Sequence, residues 1–563
     1  MSGLVGLRSV FARFVAGASA RLGVPARELA CLAGILAVAA ATRFADLPAR
    51  GGWDSDQGTE MLAMRNAITG GGLPTFGPLA ISVGGSFHHG ALYYDLLLPA
   101  AWLGNGDPTF VVAEIALLSL LVVPIVWWIA RSIGGPAAGL IAACLAAVSA
   151  SLIGYATFIW NPTLVEPAAA VAFLGAWEGW RTGRPQWWLV AAAGSAVAMQ
   201  SHVAAGVIVV PMAAAFLAAL RRAPAGRRRR VAAWGAAAVA LVALSYLPVI
   251  AHELSHDFPE TRGMIGYFTG PDSTPARDPL TRLLFSAIRI LAWPLIRWPL
   301  VDLKPSFLPS LAVAVTLALT LAWRVARTGS PAPDAEASTG TPASATAAAE
   351  PAAREPAAAG RAAEHEGLRF VGGMLLLIVV ALGLGLKAVS EVQELPTEQY
   401  HVVADPLVFV AAGLALAGIW RAAGGGCARQ VGRVAAVAAV AGLVAWNVGH
   451  WPPLTSPDGG WPAAQAAATR IERIAAGAPV ALVPLFEEKG GDAYAYPLQR
   501  DGTILVAVDR ANVVAVLCDT FWLKGCSGEA EGAWLATQPG GLTQVDRFAA
   551  APDRIVTVYR RSP

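Results

Sequence analysis

Between two apolar segments of this chain lies the sequence GGWDSDQGTEMLAMRNAITGGGLPTFGPLAISVGGSFHHGALYY, residues 51–94. Two carboxylates, Asp54 and Asp56, stand near its start, and two imidazoles, His88 and His89, stand near its end. Only 14% of the 563 residues are charged, and ionisable groups held close to a membrane usually have a function. The sequence therefore predicts half of a functional site in this stretch, at the outer face of a membrane.

The composition sets the class of the protein. Hydrophobic residues make up 56% of the chain, and the mean hydropathy is +0.54. A water-soluble domain could not bury that much apolar surface, so we expect a polytopic α-helical membrane protein. The net charge of +3 is too small to indicate a nucleic-acid partner.

Apolar runs and arginine positions predict the topology. Residues 1–29 form a basic N-terminal tail, expected in the cytoplasm, and residues 30–450 form a transmembrane domain with about eleven crossings. Residues 45–109 make a long first external loop, in which we expect two short helices lying in the membrane interface. The six arginines within residues 221–230 mark a cytoplasmic end. The chain is thus predicted to be a multi-pass protein of the cell membrane.

Two later segments differ from this apolar pattern. Residues 330–366 are rich in Ala, Pro, Glu and Thr, which predicts a disordered cytoplasmic linker. Residues 451–563 are predicted to form a small extracytoplasmic α/β domain. Its expected elements are one helix and four strands, at Ala463–Ala476, Val480–Leu485, Thr503–Val508, Val513–Leu517 and Ile555–Tyr559. Cys518 and Cys526 could pair if this domain lies outside the cytoplasm.

The four ionisable residues of the first loop have both functional and structural interpretations. Asp54 and Asp56 suit a general base that deprotonates an acceptor hydroxyl or amine, or they are solvated loop residues. On a helix, His88 and His89 would point about 100° apart and would seldom bind one metal together. One of them is expected to donate to a phosphate oxygen, or both are polar residues at the membrane interface.

Taken together, the order of these features resembles the membrane glycosyltransferases of the GT-C class. The likeness is to protein O-mannosyltransferases and to the aminoarabinose transferase that modifies lipid A. In DQGTEMLAMR, Asp56 matches the first acid of the family's Asp-Glu pair, and Gln57 replaces its second acid. In HHGALYY, His89 takes the position of a lysine that faces the donor phosphate. The resemblance covers roughly residues 29–449.

Three further stretches match this resemblance in order. In YATFIWNPTLVEP, Asn161 stands where an acid is common, so it would position an acceptor or sugar hydroxyl, or cap the next helix, and Glu166 follows it. In MQSHVAAG, His202 occupies the basic position of a family turn. In EQYHVVADP, Tyr400 and His401 would lie near the donor phosphate or lipid.

What the resemblance implies is transfer of a sugar from a polyprenyl-phosphate donor, presented from the outer leaflet, with inversion at the anomeric carbon. Asp56 would be the general base, with Asp54 as the second carboxylate. His89, with His202 or Arg289, would stabilise the departing phosphate. The acceptor would be a cell-envelope glycan, lipid or protein. The resemblance implies no cofactor with certainty and leaves a divalent metal open.

Two other classes of function stay open at this point. A transporter or lipid flippase also has many apolar helices, but it usually shows internal repeats and ionisable residues at mid-membrane depth. The candidate acids of this chain fall in external loops, and no repeat is apparent. A catalytically inactive membrane scaffold that binds a glycan is the third class, because Gln57 and Asn161 stand where the resembled family has acids.

Overall fold

Long apolar helices form most of the chain up to residue 449 in a computed structural model of the protein. The structure describes residues 15–82, 84–270, 278–298, 307–329, 350–385, 398–422, 426–486, 490–520 and 523–562. Part of the predicted N-terminal tail and part of the predicted linker lie outside the described residues. From Glu350 onward the linker sequence is helical, because alanine is the strongest helix former.

The α-helices follow one another along the chain in the order α1 Val15–Leu22, α2 Ala26–Phe44, α3 Leu47–Arg50, α4 Ser55–Asn66, α5 Leu92–Leu103, α6 Pro108–Leu120, α7 Val122–Val148, α8 Ala150–Tyr155, α9 Val165–Thr182, α10 Trp187–Ser201, α11 Val209–Arg222, α12 Ala225–Ser245, α13 Leu247–Ser255, α14 Pro259–Thr269, α15 Pro279–Ile296, α16 Leu308–Gly329, α17 Glu350–Gly385, α18 Asp405–Ala422, α19 Cys427–Gly449, α20 Gly460–Ala475, α21 Asp492–Arg500 and α22 Glu531–Ala536.

Several of these helices are long and apolar enough to cross a membrane. Within the described ranges there are seven, or up to nine if each of two bent pairs of helices is one span. Two predicted crossings merge into the single stretch Pro108–Val148, which Gly135 breaks with a φ of 78°. Helix α10 has 15 residues, fewer than the roughly 20 that a crossing needs. The count of eleven crossings remains a prediction.

Residues 45–109, which the sequence predicts to be the first external loop, contain a β-hairpin that the sequence pattern did not predict. Strands β1 (Phe76–Ser82) and β2 (Gly85–Gly90) form an antiparallel hairpin between helices α4 and α5. Helix α14 packs against β2 so closely that a Cβ on Gly263 would lie 1.9 Å from the Ser86 carbonyl oxygen. Only glycine allows this approach, because it has no Cβ.

The described part of residues 451–563, the predicted extracytoplasmic domain that is called the external domain below, is a mixed α/β unit, as predicted in outline. Strands β3 (Val480–Pro484), β4 (Val513–Asp519), β5 (Leu542–Ala551) and β6 (Arg554–Arg561) form one sheet in the order β3-β4-β6-β5. The pair β3–β4 is parallel, and the other two pairs are antiparallel. The disulfide between Cys518 and Cys526 is formed.

Buried apolar residues form two large cores. One lies among the long helices and is dominated by α7, α9 and α18. The other joins the first external loop to the external domain, because Trp53, Met61 and Leu97 belong to the same buried cluster as Trp461 and Val513. The external domain and the first loop therefore fold around shared apolar surface.

Candidate functional site

Asp54 begins the helix that carries Asp56. Its Oδ1 accepts a hydrogen bond from the Asp56 backbone N–H at 2.9 Å, and Gln57 Oε1 accepts one from the Asp54 backbone N–H at 2.9 Å. The Gln57 backbone N–H also donates to the Asp54 side chain, so Asp54 and Gln57 form a capping box at the start of α4. Asp54 and Gln57 therefore both fix the position of Asp56.

A third acid, Glu60, lies one turn after Asp56 and was not singled out from the sequence. It is 4% exposed. Burial raises the pKa of Glu60 well above its ordinary value, a hydrogen bond with Tyr94 lowers it in part, and the charge of Asp56 raises it. Burial thus favours the protonated form of Glu60. The four-residue spacing in DQGTE was the available signal, because residues i and i+4 share one helix face.

His88 and His89 lie on strand β2, so the separation of about 100° that adjacent residues have on a helix does not apply to them. Successive side chains of a strand point to opposite faces. His88 Nδ1 lies 3.1 Å from Glu260 Oε1 of helix α14, and the His88 backbone N–H donates to Glu260 Oε2 at 2.6 Å. His88 therefore holds the hairpin against α14, whereas His89 is buried.

His89, His202 and Tyr400 come together in one row of rings. The ring centroids of His89 and His202 are 6.1 Å apart, and those of His202 and Tyr400 are 5.5 Å apart. Burial lowers the pKa of His89 to about 4, with a further lowering by the charge of His88. Burial also lowers the pKa of His202 to about 3, helped by the charge of His89. Both imidazoles are therefore neutral at pH 7.

Two amide side chains join the external loops around this row. Asn161 Nδ2 donates to the Ser201 carbonyl oxygen at 2.6 Å, next to His202. Gln57 Nε2 donates to the Ile159 carbonyl oxygen at 2.7 Å. The second external loop is thereby fixed between α4 and the turn that carries His202.

Buried carboxylates gather where α9 and α18 begin. Glu166 and Asp405 lie against each other, and Glu398 is close enough to interact electrostatically with both. The Arg43 guanidinium attracts Glu166 electrostatically, and the Arg297 guanidinium attracts Glu398 in the same way. The arginines offset part of the cost of burying these acids, because opposite charges attract strongly where water is excluded.

His401 sits beside that cluster. Its ring is fully buried, its two nitrogens have no hydrogen-bond partner among the described residues, and its centroid lies 6.3 Å from that of Trp293. The structure thus places Tyr400 with the histidine row and His401 against Trp293. In the part of the chain that the structure describes, no group of three or more His, Cys, Asp and Glu side chains could hold a metal ion.

A cavity of 690 Å³ opens beside the hairpin. His88 and His89 line one side, and mostly apolar side chains such as Met199, Tyr246 and Phe268 line the other sides. This volume is in the range of small-molecule sites, and an apolar wall with a few polar groups is typical of them. The cavity therefore offers a binding space with His89 on its wall.

The external domain contacts the helix that carries the acids. The Trp53 backbone N–H donates to Asp458 Oδ2 at 2.8 Å, and Arg554 Nη1 donates to the Trp53 carbonyl oxygen at 2.5 Å. Thr59 Oγ1 donates to Asp492 Oδ2 at 2.6 Å. These contacts were not predictable from sequence, because they join positions more than 400 residues apart.

Comparisons with known proteins agree with the resemblance seen in the sequence. A family model described as dolichyl-phosphate-mannose-protein mannosyltransferase matches residues 102–252. The crystal structures of ArnT from Cupriavidus metallidurans, in the apo state and bound to undecaprenyl phosphate, each match with a TM-score of 0.54 and 14% identity, over 93% of this chain and 97% of that one. Among curated proteins, no match was found.

A structure at lower similarity is the Archaeoglobus fulgidus oligosaccharyltransferase in the apo form, with a TM-score of 0.47 and 13% identity, over 95% of this chain and 74% of that one. The match to ArnT shows a shared fold. The predicted resemblance to membrane glycosyltransferases of the GT-C class is therefore confirmed, and the chain is a multi-pass membrane protein of that architecture.

Proposed function

We propose that this chain, with its GT-C fold, moves a sugar from a polyprenyl-phosphate donor to an extracytoplasmic acceptor with inversion. One observation carries the proposal. Asp56 stands on helix α4 of the first external loop, which is capped at its start and buries part of its surface, and Asp56 lies one turn from Glu60. Catalysis needs groups in a defined geometry, and the capping box together with the contacts of the neighbouring domain gives the helix of Asp56 such a geometry.

Asp56 is the general base of the proposed reaction. It accepts the proton of an acceptor hydroxyl or amine, whose oxygen or nitrogen attacks the anomeric carbon opposite the phosphate. The bond between the anomeric carbon and the phosphate oxygen breaks, and the electron pair leaves with the phosphate. Asp54 acts by holding the start of the helix, and the protonated Glu60 adds no second negative charge one helical turn from Asp56.

The leaving phosphate is stabilised by hydrogen-bond donors rather than by a permanent histidine charge. His89 and His202 are neutral at pH 7, so each offers one ring N–H. The positive charge comes from arginines, and Arg289 acts electrostatically on both His401 and Glu398. Tyr400 lies against His202 and completes the donor side of the site.

The cavity beside His89 is assigned to the lipid-linked donor. Its apolar walls suit the first isoprene units. Its polar edge at His88, Glu253 and Glu260 suits sugar hydroxyls, because carboxylates accept hydrogen bonds from hydroxyl groups. The ArnT structure bound to undecaprenyl phosphate is of a protein with this fold, which supports a donor of this class. Asn161 and Glu166 are assigned to positioning the acceptor or sugar.

The proposed topology puts the external domain outside the cytoplasm and the arginines of residues 221–230 inside. The positive-inside rule supports this orientation, and so does the disulfide between Cys518 and Cys526, because disulfides persist in oxidising compartments. Acceptor and donor would then meet at the outer face of the cell membrane. The acceptor is a cell-envelope glycan, lipid or protein.

Transfer in proteoliposomes tests the proposal. The native protein and Asp56→Asn are supplied with a panel of radiolabelled polyprenyl-phosphate sugars. Label released from the lipid or moved to an acceptor by the native protein alone supports the transferase and identifies its donor. Saturable donor binding without turnover in both proteins would instead favour an inactive scaffold. Substrate accumulation in vesicles lacking any lipid-linked sugar would favour a transporter.

A further inference from the structure

A second cavity, of 150 Å³, lies far from the candidate active site. Trp180 at the end of helix α9 lines it, whereas Glu166 stands at the start of the same helix. Fourteen residues of helix at 1.5 Å per residue separate the two side chains by about 21 Å. The cavity is therefore a distinct feature at the opposite end of the helix bundle.

The Trp180 side chain gives the first indication of a ligand in this cavity. Its indole Nε1 is buried and has no hydrogen-bond partner within the described ranges. Buried N–H donors are almost always paired, because an unpaired one costs free energy. An acceptor atom supplied by a bound molecule would pair this donor.

The charges around the cavity define the sign of that molecule. The Arg222 guanidinium lies 4.1 Å from the centroid of the Trp180 ring, and Arg227 also lines the cavity. The six arginines of residues 221–230 have no acid among them. Glu366 forms an ion pair with Arg222 and supplies a competing negative charge. A ligand with acceptor oxygens and negative charge fits this setting.

The lining also indicates where the ligand comes from. Trp188 and Val231 are buried apolar residues on the cavity wall, close to the arginine-rich segment that the positive-inside rule assigns to the cytoplasmic membrane surface. A free anion would gain nothing from these apolar side chains, whereas the glycerol ester and first methylenes of a lipid would pack against them. Basic pockets between membrane helices on the cytoplasmic side are suited to anionic head groups.

We propose that this cavity binds the head group of one anionic phospholipid, with Arg222 and Arg227 holding the phosphate and Trp180 donating to an ester or phosphate oxygen. The site does not depend on the proposed transferase activity. It would anchor the ends of α9 and α11 at the side that the positive-inside rule assigns to the cytoplasm.

Native mass spectrometry of the full-length protein in mild detergent tests the site, with phosphatidylglycerol titrated against phosphatidylcholine. The native protein should retain one phosphatidylglycerol in preference. Arg222→Gln with Arg227→Gln should weaken its retention by about tenfold or more, since each arginine near anionic lipid is worth about 1 kcal/mol. Arg229→Gln with Arg230→Gln removes the same charge outside the cavity lining and should change retention by less than about twofold.

Two single variants test the contacts themselves. Trp180→Phe keeps a ring but loses the N–H, so retention should fall by about three- to tenfold, as for one lost hydrogen bond. Glu366→Gln removes the competing charge and should strengthen retention. Thermal unfolding in phosphatidylcholine alone checks that each variant is folded.

Three results would overturn the proposal. Equal weakening by the two double arginine variants would reduce the effect to general surface charge. Equal retention of both lipids by the native protein would remove the anionic preference. The third result has two parts: millimolar inorganic phosphate displaces phosphatidylglycerol, and the protein binds the whole lipid no better than the head group without its acyl chains. That result would make the cavity a free-anion site.

Discussion

Thr59 of the first external loop donates a hydrogen bond to Asp492 of the external domain, with 2.6 Å between Oγ1 and Oδ2. The bond lies beside Asp56 on the same helix and next to Gly58, whose missing side chain brings α4 against α21. The external domain is thus in direct contact with the helix that carries the proposed base.

Gly58→Ala tests how tightly these two helices pack. The new Cβ would lie 2.1 Å from the Asp492 carbonyl oxygen, so the helices must move apart. Overpacking of this kind costs about 1–3 kcal/mol. We expect a lower thermal midpoint and a loss of transfer activity. Gly442→Ala, in a helix with nothing within 4 Å, is the matched control and should be neutral or slightly stabilising.

Arg554→Ala tests whether the external domain positions the acid segment. Arg554 Nε donates to Asp519 Oδ2 at 3.0 Å while Nη1 donates to the Trp53 carbonyl oxygen, so the side chain bridges the sheet and the start of α4. A displaced base lowers kcat by up to about 100-fold. The KM for the donor should change little, and Arg554→Lys should restore part of kcat.

The control for Arg554 is Arg470→Ala, which breaks an ion pair with Asp546 at the surface of the same domain. Exposed pairs of this kind contribute little to stability because water and salt screen them, so kcat should stay near the native value. If Arg554→Ala and Arg470→Ala lowered kcat equally, the effect would be general to the domain and the positioning role would be lost.

The roles of Asp54 and Asp56 are distinguished by replacing each residue with asparagine. Asparagine is a good N-cap residue, so Asp54→Asn should keep the helix start and lower turnover by about tenfold at most. Asp56→Asn removes the base and should lower turnover by about two to four orders of magnitude. Single-turnover assays with saturating donor distinguish the two. The reverse order of effects would transfer the base role to Asp54.

Glu60→Gln and Glu60→Ala test the protonated acid. Because the raised pKa of Glu60 favours its protonated form, glutamine should preserve the contact with Tyr94 and most of the stability. Alanine leaves polar groups unpaired and should cost about 1–3 kcal/mol. Because the pKa of Glu60 is higher in the folded state, its contribution to stability is complete below the ordinary value of 4.5 and is lost as pH rises from there through the raised pKa. Glu60→Gln should therefore gain stability relative to the native protein in alkaline buffer.

His89→Gln and His202→Gln test the neutral imidazoles. Their pKa values, about 4 and about 3, lie below the ordinary 6.5, so the unfolded chain takes up protons first as pH falls. Stability should therefore decline from about pH 6.5 downward, and each variant should flatten the decline. Thermal midpoints from pH 7.5 to 4.5 measure it. His450→Gln, at an exposed position, is the control and should leave the pH dependence of the thermal midpoint unchanged from that of the native protein.

Local pattern was enough to predict much of the fold. The apolar runs located the long helices, and the predicted helix Ala463–Ala476 is observed as Gly460–Ala475. The segment Thr503–Val508 is not a strand, since it makes only an isolated bridge between Leu505 and Val480. Strand β5 was missed because none of its residues is buried and its sequence, LTQVDRFAAA, lacks a regular alternation.

The site could be predicted only as a set of residues. Sequence order identified His89, His202 and Tyr400, which the structure brings into one row. The partner of His88 is Glu260, 172 positions away, and nothing in the local sequence indicates that pairing. The hairpin that presents both histidines depends on close packing against α14, which is a tertiary effect and leaves no periodic signal.

The apolar core shared by the first loop and the external domain has a consequence for how such a protein can be rebuilt or inherited. Met61 and Tyr496 bury surface in the same cluster, so deleting residues 451–563 would expose the underside of the acid-bearing helix. The domain is not an interchangeable module. Chimaeras between such proteins should fold only when the first loop and the external domain are exchanged together. The two segments are therefore expected to be inherited together and to vary together in sequence.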